Sequence, residues 1–283
     1  MITPEEEGDI SERAYIPEHT INLMVPISKG EPFLEEDYLS FVKDNWLIFV
    51  GYPLDRNISQ ERSERILKQV VDAFRPEYLW FIGPEIPPSL LGSCKERETD
   101  RYYTLDIEKT KLKPSLQRMA DKASRELAVE RSRGFSKEHE TLVTELLKRE
   151  KLPPRVRELY RAMPDYVVRS SSAWTLSVRD KNGKLGAFFV VELGAKNFST
   201  YVVGCHSKKH FVPHASDLLF FEMINLTREH RKYTIHLGLG VNQGIRRFKE
   251  KWGGTPSLSY EFCERYYGTT RTVALIKSLE GKL

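Results

Sequence analysis

From residue 169 to residue 283 the chain alternates strand-length apolar runs with amphipathic segments of helical spacing, which restricts it to an α/β fold. Residues 180–183, Asp-Lys-Asn-Gly, give a hairpin signal inside this pattern, because Asn-Gly adopts positive φ at low cost. The predicted order is β-β-β-α-β-α-β-β, with strands at residues 173–179, 186–193, 198–204, 233–239, 258–267 and 272–276 and helices at 214–230 and 242–251.

Residues 1–110 carry a second alternation of the same kind. Its pattern predicts strands at residues 21–27, 46–52, 78–82 and 102–107, with helices at 31–44 and after Ser59. From Pro114 the spacing turns helical, through the basic stretch 111–133 and through segments that follow Ser136 and Pro153. A length of 283 residues favours two domains. We therefore predict an N-terminal domain at 1–110, connecting helices at 111–165 and a C-terminal domain at 166–283.

The composition is that of a globular protein, with 40% hydrophobic and 30% charged residues, and it excludes a disordered or collagen-like chain. The three cysteines, Cys94, Cys205 and Cys263, have neither zinc-ligand spacing nor a CxxC pair, so no metal site is expected. Their odd number favours a reducing compartment. Apolar runs as short as residues 46–50 and an acidic N-terminus predict neither a transmembrane segment nor a signal peptide, and hence a cytoplasmic protein.

Charge is distributed unevenly along the chain. Residues 1–110 hold 12 Lys and Arg against 22 Asp and Glu, a net charge of −10, whereas residues 111–283 hold 32 against 18, a net charge of +14. The basic half predicts contact with an anion, although solvation of helix faces explains many of these charges equally well.

The most distinctive segment is IHLGLGVNQGIRRFKEKWGG, in which a strand runs into glycines and then into a helix. Gly238, Gly240 and Gly244 give the spacing GxGxxxG, one residue longer than the dinucleotide-binding fingerprint. A dinucleotide-binding fold also needs more parallel strands after this point than the remaining chain provides. The segment therefore does not predict a nucleotide cofactor of that type.

The strand order and the RRFKEKWGG segment resemble the GNAT acyltransferases, and in particular their Fem-type branch of two-domain acyltransferases. The resemblance implies two GNAT-like α/β halves, each a mixed sheet flanked by helices, and an acyl-CoA-type donor whose acyl group is transferred to an amine. It also implies that Asn242 contacts coenzyme A and that Lys249 points at the acceptor site. We therefore predict that Lys249 is a catalytic residue, which with backbone N–H groups stabilises the developing oxyanion. The alternatives are that Asn242 is an ordinary helix N-cap and that Lys249 is an exposed helix residue.

The predicted donor loop, CHSKKHFVPHAS at residues 205–216, lacks the glycines of the common phosphate loop. A helix N-terminus next to lysines still attracts an anion. We therefore predict that the donor is bound by Ser207, Lys208, Lys209, His214, Ala215 and Ser216. Fem-type enzymes that use aminoacyl-tRNA lack the same glycines. Aminoacyl-tRNA is therefore the alternative donor, with the basic stretch 111–133 following its phosphates.

Glu192 lies within an apolar strand and is a candidate general base. His206 and His236 are further candidates, although each is more often a structural histidine. No Ser-His-Asp or Cys-His arrangement supports a covalent intermediate, so direct attack by an amine on the donor carbonyl is expected. The expected acceptor partner is an amine, with an anionic acceptor as an alternative. A non-catalytic binding protein that has kept the fold is the third alternative.

Overall fold

The structure, a computed structural model, describes residues 2–268. Its helices are α1 (Pro4–Arg13), α2 (Ile21–Ser28), α3 (Gln60–Phe74), α4 (Pro88–Leu91), α5 (Pro114–Ala123), α6 (Lys137–Arg149), α7 (Pro154–Arg169), α8 (Ala215–Glu229) and α9 (Gln243–Lys251), with a 3-10 turn at Pro17–His19. Its strands are β1 (Glu31–Glu35), β2 (Tyr38–Lys43), β3 (Trp46–Val50), β4 (Tyr78–Gly83), β5 (Glu96–Asp106), β6 (Ala128–Ser132), β7 (Ala173–Arg179), β8 (Leu185–Glu192), β9 (Phe198–His206), β10 (Thr234–Leu239) and β11 (Thr255–Tyr266).

The chain forms two compact units, and among the described residues the smaller one comprises residues 30–100 and 259–268. Its strands follow the order β1-β2-β3-β4-β11, parallel between β3 and β4 and antiparallel elsewhere. Helix α3 begins at the N-cap Ser59 and buries Ile66 and Val70 against Phe49 and Phe81. Both elements follow from the sequence, because α3 has an apolar stripe and β3 is a continuous apolar run.

Residues 31–44, predicted as an amphipathic helix, form the β1–β2 hairpin instead. Glu36, at the turn, has a φ of 51°, and Leu34 pairs with Leu39 across it. The helical prediction was wrong because a short apolar run fits the repeat of a helix as well as that of a strand. Pairing with β3 favours the strand.

The larger unit comprises residues 3–29 and 101–258, with the strand order β5-β10-β9-β8-β7-β6. Strands β10 and β9 are parallel, and the other neighbours are antiparallel. Strand β8 is buried on both faces: Phe189 and Val191 lie in the core with α5 and α8, while Phe188 and Val190 pack with α2, α6 and α7. This double burial explains its nearly continuous apolar sequence.

The boundaries of the two units differ from those of the predicted domains. Residues 3–29 and the helices predicted to connect the domains belong to the larger unit. Residues 21–27, predicted as a strand, form helix α2, which buries Leu23 among α6 and α7. Ala128–Ser132, predicted to continue a helix, is strand β6 and pairs with β7. The strand predicted at 272–276 lies outside the described residues.

Cys94 and Cys263 form a disulfide in the smaller unit, whereas Cys205 is a buried free thiol. The sequence argument for a reducing compartment rested on the odd number of cysteines, and it did not allow for a disulfide between two of the three. Within residues 2–268 no helix is both long and apolar enough to cross a membrane.

Candidate active site

The parallel strands β9 and β10 separate in the middle of the larger sheet. They pair from Thr234 with Phe198 to His236 with Thr200, and within the described residues the pairing ends there, although β9 continues to His206. A bulge in β9 accompanies the separation, because Val190 and Val191 of β8 pair with Val203 and Tyr201, which leaves Val202 without a counterpart. We call the gap between residues 201–206 and 237–240 the strand opening.

The chain leaves β10 through a strained turn. Gly238 has a φ of 71°, and Val241 has a φ of 57°, a conformation that a β-branched residue rarely adopts. Strain of this kind persists where surrounding structure enforces it, often at functional sites. Asn242 then begins α9 as its N-cap and accepts a hydrogen bond from the Ile245 N–H at 3.0 Å. The structure thus gives the Asn242 side chain a capping role at an exposed position.

Lys249 is only 4% exposed, although its sequence neighbours are charged. Its Nζ donates a hydrogen bond of 2.5 Å to the carbonyl oxygen of Leu239, the last residue of β10, and lies 5.6 Å from the centre of the Tyr103 ring. Helix α9 therefore directs a buried ammonium to the end of β10, at the strand opening. This burial excludes the alternative of an exposed helix residue, and the role of Lys249 in catalysis stays a prediction.

His236 lies where the pairing of β9 and β10 ends, and it is 1% exposed. Its Nδ1 accepts a hydrogen bond from the Gly238 N–H at 3.3 Å, so this network assigns the proton of the neutral ring to Nε2. Burial, followed by the positive charge of Lys249, lowers the pKa of His236 to about 3. His236 is therefore a neutral imidazole at physiological pH.

Glu18 is a half-buried residue whose carboxyl oxygen Oε2 is buried. No sequence pattern indicated it, since it stands between Pro17 and His19 in a generally acidic segment. Burial raises its pKa to about 7, although hydrogen bonding from its own N–H and from the Tyr102 hydroxyl acts in the opposite direction. Tyr102 lies on β5, and its ring packs edge-on against His236 with centroids 4.8 Å apart. The fold thus brings Glu18, Tyr102 and His236 together.

The predicted donor loop already holds an anion of the protein itself. The Glu145 carboxylate accepts hydrogen bonds from the Ser207 hydroxyl at 2.9 Å and from the backbone N–H groups of Lys208 and Lys209 at 2.7 and 3.2 Å. Burial raises the pKa of Glu145, but these hydrogen bonds outweigh it and the net pKa is lowered. The Lys208 and Lys209 side chains are exposed.

The start of α8 carries a second carboxylate. Asp217, in the first turn, accepts hydrogen bonds from Lys251 Nζ at 2.6 Å and from Trp252 Nε1 at 3.1 Å. Of the predicted donor residues here, His214 is exposed, Ala215 is buried and Ser216 is half-buried. The sequence argument did not consider Asp217, whose carboxylate reduces the attraction of this helix start for a phosphate.

Glu192, the predicted general base, lies at the end of β8 and pairs with Thr200 of β9, which in turn pairs with His236 of β10. It is 2% exposed and accepts hydrogen bonds from the Tyr166 hydroxyl, from Ser170 Oγ at 3.0 Å and from the Gly194 N–H at 2.6 Å. A carboxylate with three donors is well satisfied, which favours a structural role that joins β8 to α7. Among residues 2–268, no group of three His, Cys, Asp or Glu residues is suited to hold a metal ion.

No protein-family profile and no curated protein sequence matches the chain. Solved structures do match its fold. FemX is 12% identical with a TM-score of 0.62, and the alignment covers 98% of both chains. A lysylphosphatidylglycerol synthetase C-terminal domain from Agrobacterium fabrum is 18% identical with a TM-score of 0.58, covering 97% of this chain and 95% of that one. A tandem GNAT protein from the clavulanic acid biosynthesis pathway is 12% identical with a TM-score of 0.53, covering 82% and 79%.

These similarities define the class of fold, which is the α/β fold of the GNAT and Fem-type proteins. The prediction of two GNAT-like halves with mixed sheets flanked by helices is confirmed. The identities are low, so the similarities establish the fold alone.

Proposed function

We propose that this protein is an acyltransferase that transfers an activated acyl group to an amine at the strand opening. The observation that carries the proposal is the separation of parallel strands β9 and β10, with a bulge in β9 and the buried Lys249 ammonium at the end of β10. An acyl group that enters this gap has its carbonyl oxygen near the Lys249 ammonium. This positive charge stabilises the negative charge that develops on the oxygen.

The reaction is a direct displacement. The amine nitrogen forms a bond to the carbonyl carbon, and the carbon–oxygen or carbon–sulfur bond to the leaving group breaks. The leaving oxygen or sulfur receives one proton, and the amine nitrogen loses one. The protein positions both reactants, and the fixed ammonium of Lys249 strengthens the positive field at the carbonyl oxygen.

Glu145 favours aminoacyl-tRNA over acyl-CoA as the donor. The N–H groups and hydroxyl of the predicted diphosphate loop are occupied by its carboxylate, and Asp217 lies at the adjoining helix start. A second observation supports a polyanionic donor. Five Lys and Arg residues in α5 or close to its ends are exposed, and within residues 2–268 they take part in no ion pair. They are Lys111, Lys113, Arg118, Lys122 and Arg125.

The test supplies two labelled donors, bulk tRNA charged with radiolabelled amino acids and radiolabelled acetyl-CoA, each with n-butylamine and a lysine-containing peptide as acceptors. We expect enzyme-dependent transfer of label from tRNA. If label is transferred from acetyl-CoA and not from tRNA, the donor is an acyl-CoA. If label is transferred from neither donor, the result favours a non-catalytic protein of the same fold.

The tRNA contact has its own variant. Exchange of Arg118 and Lys122 for Glu should weaken tRNA binding and make its dependence on salt less steep, because fewer counterions are released. Exchange of Lys137 for Glu, on α6, is the matched control and should leave binding unchanged. Equal affinities for all three proteins contradict the assignment of α5 to the tRNA surface.

A further inference from the structure

Buried polar groups gather on the face of β5 and β10 that points away from α8. Leu237 of β10 and Tyr103 of β5 belong to the core beneath α8, so the alternation of side chains places His236 and Tyr102 on the other face. The 3-10 turn brings Glu18 to the same place, where the Tyr102 hydroxyl contacts its carboxyl group.

Two of these groups have unused hydrogen-bonding capacity. Within the described part of the chain, residues 2–268, His236 Nε2 is buried and has no hydrogen-bond partner, and the same is true of Glu18 Oε2. Such atoms are rare in folded proteins because a buried polar atom without a partner has lost its hydrogen bonds to water. An N–H donor and a carboxyl acceptor, both unsatisfied and both adjacent to Tyr102, point to a ligand that carries a donor and an acceptor.

The group adjoins the strand opening. Tyr102 pairs with Leu239, whose carbonyl oxygen binds Lys249, and His236 is the last residue of β10 that pairs with β9. Under the proposed function, the carbonyl of the acyl donor occupies this opening. A molecule that contacts His236 is therefore at the edge of the opening in which that carbonyl lies.

We propose that Glu18, Tyr102 and His236 form the acceptor subsite for a primary amine, with Glu18 as the general base and His236 as a donor to the carbonyl oxygen. Glu18 takes a proton from the amine nitrogen as the nitrogen–carbon bond forms, while the Nε2–H of His236 binds the developing oxyanion. The bond to the leaving group then breaks, and Glu18 returns the proton to the leaving oxygen or sulfur. This assignment rests on the proposed function.

The electrostatics suit both roles. Burial is the main cause that brings the pKa of Glu18 to about 7, and no neighbouring charge is among the causes, so its carboxylate is available as a base near neutrality. The titratable group that contacts Glu18 is Tyr102 from β5, whose ring packs against His236 of β10, and the charge of Lys249 on α9 acts on His236. A pKa of about 3 keeps His236 neutral, so it donates from Nε2 throughout the working range.

The experiment measures transfer to n-butylamine against pH, from bulk aminoacyl-tRNA and from acetyl-CoA. The wild-type rate should rise with an inflection near pH 7. Glu18→Gln should lower kcat/KM by about 10²-fold or more and abolish the inflection, whereas Glu18→Asp should keep the inflection at a reduced rate. His236→Leu should cost about 10²–10³-fold, and His236→Gln, which keeps an N–H group near the Nε2 position, should recover much of the loss.

Glu12→Gln is the matched control, because Glu12 lies on the same segment and pairs with Lys196 at the surface. If the wild type transfers the acyl group but Glu18→Gln keeps its rate and inflection, the subsite is wrong and the proposed function stands. Equal losses in His236→Gln and His236→Leu overturn the role of His236. If the wild type transfers from neither donor, the proposed function and the subsite both fail.

Discussion

At the scale of single residues, Lys249 is the side chain on which the proposed chemistry most depends. Its ammonium is buried, it donates to the Leu239 carbonyl oxygen, and it lies beside the neutral His236. A buried ammonium at this position affects both the stability of the folded protein and the rate of the proposed reaction. Its removal therefore has to be examined for both effects.

We predict that Lys249→Ala lowers kcat and kcat/KM together, by about 10²–10³-fold, as for the loss of an oxyanion donor. It should also lower the free energy of unfolding by about 1–3 kcal/mol, because the Leu239 carbonyl loses its partner. Lys249→Arg should recover little activity, since a planar guanidinium replaces a compact ammonium. Lys251→Ala is the control. Stability loss with full turnover would make Lys249 a structural residue.

Glu18 gives a prediction that needs no substrate. Its pKa is about 7 in the folded chain against 4.5 in the unfolded chain, so the folded state favours the protonated form. Its contribution to stability is fully present below pH 4.5 and is lost as the pH rises through 7. Glu18→Gln should therefore become more stable relative to the wild type by about 3 kcal/mol between pH 4.5 and pH 8. Urea unfolding at several pH values measures the difference, and a difference that is constant with pH contradicts it.

At the scale of elements, helix α6 and the donor loop form one structure through Glu145. Its carboxylate gathers the Ser207 hydroxyl and two backbone N–H groups, a geometry in which a phosphate could take its place. The sequence placed lysines in this loop, but the partner on α6 is 62 residues away in the chain. Spacing along the chain gives no indication of such a contact.

Glu145→Ala should lower the free energy of unfolding by about 1–3 kcal/mol, because three donors lose their acceptor. The same variant should gain affinity for inorganic phosphate, seen as a rise in Tm on phosphate addition that the wild type lacks. Glu140→Ala, at an exposed position of the same helix, is the control. A Tm of Glu145→Ala that does not respond to phosphate shows that the loop N–H groups do not form an anion site.

At the scale of the whole molecule, the Cys94–Cys263 disulfide joins residues 169 positions apart. Exchange of both cysteines for serine should lower the free energy of unfolding of the smaller unit by about 2–5 kcal/mol, because the unfolded chain regains its freedom. Reductant should have the same effect on the wild type and none on the double variant. Thiol titration of the unfolded, unreduced protein should find Cys205 alone, and three thiols there would disprove the pairing.

The sequence by itself determined much of the larger unit. The hairpin at residues 180–183, strands β7 to β10 and helices α8 and α9 follow from hydrophobic period, turn chemistry and the Asn242 cap, all of which are local. The RRFKEKWGG segment also singled out Lys249, which the fold then buried at the end of β10. Each of these features depends on residues within a few helical turns or a few strand positions, so a local sequence pattern is sufficient to predict it.

Only the tertiary structure decided the β1–β2 hairpin, the pairing of Cys94 with Cys263 and the bonding of Glu145 to the donor loop. It also brought Glu18 against Tyr102, 84 positions further along the chain, and so raised the pKa of its carboxyl group. The physical reason is the same for the last three: each depends on groups that are distant in sequence and meet only when the sheets assemble. The hairpin is local, but its short apolar run fits a helix as well as a strand, and pairing with β3 favours the strand. The burial and the hydrogen bonding of polar atoms depend on the assembled tertiary structure, and no local sequence pattern predicts them.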